Sequence, residues 1–186
     1  KTGIGSRQSV DSIRLADEQL ARVIAHIEKH EMADETDIIV VSDHGHSTVK
    51  EVIDVRSFLV EAGAKDSMES TDVLVAHNGG SALIYMPGAG GRRMADVTGL
   101  LMRQAWCGPV FTRVGPDGAP GSIPLSSIGY DHPTSPDIVF SFAWDADVNQ
   151  NGVRGNVYSC GDVGVGLGNH GSASPYEVRN TLVAAG

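Results

Sequence analysis

Four branched apolar residues in succession, Ile38-Ile39-Val40-Val41, run straight into Ser42-Asp43-His44-Gly45-His46. A short β-branched run framed by polar residues predicts a strand, and a run without alternation predicts one buried on both faces. Such strands lie in the middle of α/β sheets, and ligands bind in the crevice beyond their carboxyl ends. Polarity switches at that end to a carboxylate and an imidazole, a donor pair that suits a divalent ion such as zinc. Gly45 permits the sharp turn that lets Asp43 and His44 face one point. The same tripeptide also suits a capped turn with no ligand. A second turn of like character, Gly168-Asn169-His170-Gly171-Ser172, lies near the C-terminus and favours the metal reading.

Around this stretch the pattern alternates between helix and strand. Ser9–His30 predicts a helix with Val10, Ile13, Leu20, Val23, Ile24 and Ile27 on one stripe and Ser6 or Ser9 as its cap. Val49–Val55 reads as extended, and Asp54 caps a short helix closed by Gly63. Val73–Ala76 and Ser81–Met86 predict a hairpin around His77-Asn78-Gly79-Gly80. Arg92–Ala105 predicts a helix, Pro109–Val114 and Pro136–Ala143 predict strands, and Asn180–Ala184 predicts a last one. Ser122–Tyr130 is ambiguous. Asn149–Gly168 is glycine-rich and aperiodic, the pattern of a long functional loop. The alternation predicts a layered α/β domain, with residues 65–136 forming a smaller cap-like insertion within the unit 1–186.

Charge and composition narrow the function. A net charge of −9 argues against a basic nucleic-acid-binding face, although bound metals reverse a local field and leave an anionic substrate open. No apolar segment is long enough to span a bilayer, so a soluble, cytoplasmic setting without membrane contact is the expectation. Cys107 and Cys160 are too few for a disulfide framework and read as buried thiols.

Ser42-Asp43-His44-Gly45, followed far downstream by Asn169-His170-Gly171-Ser172 and Ser174-Pro175-Tyr176, resembles the type I phosphodiesterase/nucleotide pyrophosphatase family of the alkaline phosphatase superfamily. The resemblance implies an α/β/α mixed sheet of the alkaline phosphatase-like type, truncated at the N-terminus. It implies two divalent ions, zinc by family habit, with Asp43 and His44 on one and His170 on the other. It also implies a small phosphorylated or nucleotide substrate. His46 stands two residues beyond His44, where the family has a hydrophobic residue, and is a candidate substrate contact.

The family's hydroxyl nucleophile and its remaining metal ligands come from motifs that would precede Lys1. In the family's His-x-x-Gly-x-x-Ser pattern, Gly3 and Ser6 match the last two fixed positions. The expectation is therefore a C-terminal portion of a catalytic domain, with weak or absent metal occupancy and no turnover of its own. An uncovered sheet would then favour self-association. Rival readings are a phosphonoacetate hydrolase-like or other phosphomonoester-type enzyme, and a non-catalytic α/β binding domain.

Other candidates have plainer readings. Ser42 and Ser47 read as turn hydroxyls, and His132 as structural. His77 and Asn78 read as a hairpin tip that could reach a substrate. His26 and His30 share a helix face without a third ligand, and Asp162 and Asn169 are candidates to orient His170.

Overall fold

A computed structural model describes residues 2–186. In chain order its elements are α1 (Arg7–Lys29), β1 (Ile38–Val41), β2 (Ser47–Val52), α2 (Val55–Glu61), β3 (Leu74–Asn78), β4 (Ser81–Tyr85) and α3 (Gly91–Met102). There follow β5 (Cys107–Thr112), α4 (Gly115–Gly118), β6 (Ile123–Pro124), β7 (Ile138–Phe142), β8 (Trp144–Val148), β9 (Arg154–Ser159), β10 (Gly168–Asn169), α5 (Pro175–Val178) and β11 (Leu182–Ala185). The class is mixed α/β, as the alternation predicts. Among the described residues the strands divide among three sheets, ordered β1-β11, β10-β2-β9-β8 and β3-β4-β7-β5-β6. Among the described residues no helix is long and apolar enough to cross a membrane.

The core forms around β7. Its sequence Ile-Val-Phe-Ser-Phe is buried at every position, and it is hydrogen-bonded to β4 on one side and β5 on the other. Phe140 and Phe142 pack edge to face at 5.0 Å between ring centroids. Trp106 lies 5.7 Å from Phe140 and 5.1 Å from Phe58, which brings α2 onto the same cluster. Such pairs add to the burial of large apolar area. Val157 of β9 and Cys160 complete the core from the four-stranded sheet.

The run Ile38–Val41 does form a strand, but not a buried one. Ile39 and Val41 are 64% and 60% exposed, and β1 pairs only with β11 among the described residues. The doubly buried strand is β7 instead. Branched apolar residues set a strand's preference for burial, and the partners that cover it come from elsewhere in the fold; a two-stranded ribbon cannot bury both of its own faces.

The first helix departs in the same way. Its limits and its Ser6 cap are as expected, with Ser9 N–H donating to Ser6 Oγ at 3.3 Å. None of its 23 residues is buried, and Ile13 on the apolar stripe is 69% exposed.

Asn149–Gly168 is not a loop throughout, because β9 runs through it. Gly155, Val157 and Ser159 are buried while their neighbours are less so, a period-2 pattern that the glycine and asparagine content hides. The second cap does follow expectation: Ser57 N–H donates to Asp54 Oδ1 at 2.9 Å.

Candidate active site

Strand pairing explains how two motifs more than a hundred residues apart meet. The antiparallel ladder of β10 on β2 sets Gly168 opposite Thr48 and Asn169 opposite Ser47. Continued by one step, that register carries His170 to the level of His46. The His46 and His170 ring centroids are 5.3 Å apart and the His44 and His46 centroids 5.1 Å apart. His44 and His170 stack at 4.0 Å with 25° between their planes. The structure thus brings together the three histidines singled out by sequence.

Asp43 closes one side of this group. Its Oδ1 accepts the His44 backbone N–H at 3.0 Å, and its Oδ2 lies 3.5 Å from His44 Nε2. His44 Nδ1 is 2.8 Å from the Gly45 carbonyl, which can only accept, so Nδ1 carries the proton. In the neutral ring Nε2 then presents a lone pair beside a carboxylate oxygen. Two acceptors at this separation match two ligands on one ion, because bonds of roughly 2.0–2.1 Å at a tetrahedral angle set their ends about 3.4 Å apart. The donors therefore fit a cation as a pair. Among the described residues no group of three or more His, Cys, Asp or Glu side chains is arranged to hold a metal.

The turn bearing His170 is clamped by backbone. Gly80 N–H donates to the His170 carbonyl at 2.7 Å. A Cβ on Gly79, whose φ is +64°, would stand 2.5 Å from that same oxygen. The glycines are thus what lets the β3–β4 hairpin lie against the histidine turn. His77 and Asn78 are the last residues of β3, not its loop. With Cys160, Asp162 and His170 they line a polar cleft of about 400 Å³.

Asn169 does not orient the His170 ring: its Oδ1 accepts the His170 backbone N–H at 3.0 Å and its Nδ2 donates to Ser159 Oγ at 2.7 Å. Asp162 shares the cleft with His170. Ser42 Oγ accepts Thr181 N–H and Ser47 Oγ, buried at the start of β2, lies 3.5 Å from Ser174 Oγ, so neither hydroxyl closes a local turn: each bridges to the C-terminal segment. His132 Nδ1 pairs with Thr134 Oγ1 at 2.9 Å on the surface. His26 on exposed α1 and His30 at its C-terminal cap sit together, with ring centroids 4.4 Å apart.

His46 is held towards its neutral form, first by burial and then by the neighbouring His170 and His44 rings, with Glu177 and Asp43 opposing. That glutamate is the residue sequence reasoning passed over. It is 2% exposed. Its Oε2 accepts the Ser172 N–H at 2.7 Å. Ser174-Pro175-Tyr176-Glu177 has the form of a helix-start capping box, which marks a helix start and gives no sign of a buried acid beside the histidines.

The type I phosphodiesterase / nucleotide pyrophosphatase family matches residues 1–146. The chain belongs to this family. The match includes Asp43, His44 and His46, while His170 lies beyond it. No curated protein matches the chain. Among solved structures, phosphonoacetate hydrolase from Sinorhizobium meliloti 1021 in complex with phosphonoformate is similar at 16% identity and a TM-score of 0.45. That likeness covers 80% of this chain and 36% of the other, so the chain spans about a third of that protein's length.

Proposed function

We propose that the chain is part of a metal-dependent hydrolase of phosphodiester or pyrophosphate bonds. The observation that supports this most is the joining of the Asp43–His44 donor pair to His170 through the β10–β2 ladder. In this reading Asp43 and His44 hold one divalent ion, zinc by donor type, and His170 contributes to a second. When bound, such ions polarise a phosphoryl oxygen and lower the pKa of a hydroxyl nucleophile. The chain's own part is to fix these donors. The Gly45 carbonyl holds His44 in the tautomer whose Nε2 is free to ligate, and Asn169 pins the His170 backbone. His46, exposed to solvent and held towards neutrality, offers a ring N–H or a lone pair to a substrate oxygen.

The nucleophile and the remaining ligands are proposed to lie in polypeptide preceding Lys1, and residues 65–136 to act as a cap whose hairpin end sits on the His170 turn. The 186-residue chain by itself should then bind zinc weakly and turn over nothing. The test is hydrolysis of bis-p-nitrophenyl phosphate by the full-length gene product and by its His170→Ala and Asp43→Ala variants. Outer supports of metal ligands cost about 10–100-fold when removed, so loss of a ligand should cost at least that. Tight stoichiometric zinc and turnover in the 186-residue chain would overturn the divided site, and full activity in both variants would overturn the metal reading.

A further inference from the structure

Glu177 is buried more deeply than any other acidic side chain in or near the site, and it touches both turns at once. Its backbone carbonyl accepts the Gly45 N–H at 2.7 Å, in the turn that carries His44 and His46. Its Oε2 accepts the Ser172 N–H at 2.7 Å, two residues after His170. Its other oxygen, Oε1, is buried and makes no hydrogen bond among the described residues. A buried acceptor without a donor is costly, so an unpaired carboxylate oxygen in a native fold calls for a partner. A candidate donor follows from these bonds: Gly45, whose N–H the Glu177 carbonyl holds, directly precedes His46, and the His46 ring lies 5.3 Å from that of His170, in the turn whose Ser172 N–H Oε2 accepts. A Cβ on Gly45 would run into the Tyr176 carbonyl oxygen, so the residue before His46 rests directly on the turn that carries Glu177.

We propose that Glu177 is a positioning residue: it ties the two histidine-bearing turns together, and its free Oε1 accepts the ring N–H of His46 in the working site, turning the opposite ring nitrogen toward the substrate. A neutral imidazole has one N–H to give, and an acceptor on that side selects which nitrogen carries it. The carboxylate–histidine pairing is one that active sites use to fix tautomer and ring orientation. The inference rests on the hydrolase reading for its catalytic consequence but not for its geometry.

The experiment follows ring tautomers by long-range ¹H–¹⁵N spectra of the metal-free 186-residue chain at pH 8. In the parent chain His46 is expected in one tautomer, with an exchange-protected N–H. Glu177→Gln keeps a carbonyl for the Ser172 N–H and puts an NH₂ where Oε1 stood, so the protonated nitrogen of His46 should switch while His44 stays unchanged. A His46 that averages both tautomers in the parent chain overturns the proposal without any variant, which covers the case in which Glu177→Gln fails to fold. The same tautomer in parent and variant also overturns it. In the full-length product, Glu177→Gln should lower kcat about 10–100-fold with KM little changed; an unchanged kcat would remove the positioning role. A tautomer switch in a protein that hydrolyses no phosphodiester would leave the clamp standing and sink the hydrolase reading instead.

Discussion

Gly45 shows at the level of one residue how closely the site is assembled. The atoms that a Cβ would strike belong to the backbones of Tyr176 and Arg179, which cannot swing aside as a side chain can. Asp72 shows the same closeness through charge. The Ser70 hydroxyl, then the Arg93 guanidinium and the Asp66 N–H, hold its carboxyl at about 2 against an ordinary 3.8, with burial opposing. Because the folded value lies below the unfolded one, this contribution is complete above about pH 4 and is lost as the pH falls toward 2. Urea midpoints should therefore drop between pH 5 and pH 2.5. Asp72→Asn should be less stable than the parent at pH 5 and lose less over that interval. Parallel pH curves for the two proteins would contradict this.

Individual elements differ sharply in what they contribute. Phe140 is fully buried on β7, and Phe140→Ala should cost roughly 3–5 kcal/mol. Ile39 on β1 is largely exposed, and Ile39→Thr should change stability by no more than about 0.5 kcal/mol. Equal losses by denaturant unfolding would mean that β1 is buried after all. This contrast also marks what was legible in the sequence. Caps were readable, since Ser6 and Asp54 act on neighbours three residues away. So was the hairpin, whose paired glycines sit between two strand-like runs. The burial of β1 was not readable, because the same four residues would suit a central strand if others flanked them. β9 stayed hidden because Gly155 and Asn156 are poor strand formers, held in place by β2 and β8 on either side. In the site, Asp43, His44 and His170 stood in readable turns. Glu177 did not, because its role depends on a fold that brings Ser172 and Gly45 to it.

Taken whole, the molecule has a packed body and an uncovered flank. The four- and five-stranded sheets share one core, while α1, β1 and β11 present Ile13, Ile39, Val41, Leu182 and Val183 to solvent. Exposed apolar patches and open strand edges recruit partners, and self-association is the proposed outcome for the 186-residue chain. Its weight-average mass in sedimentation should rise with concentration, and Ile13→Lys with Ile39→Lys should return it toward the monomer. A constant monomer mass in the parent would dismiss the idea.

The β1–β11 ribbon has one more effect. Ser42, the residue before Asp43, is gripped by Thr181 through two backbone-linked hydrogen bonds and by the Asn180 amide. The turn that carries Asp43 is therefore moored to the segment that leads into β11. An appendage fused after Gly186, or removal of Leu182–Ala185, would tug on that mooring and be felt at Asp43 before it disturbed the hydrophobic interior.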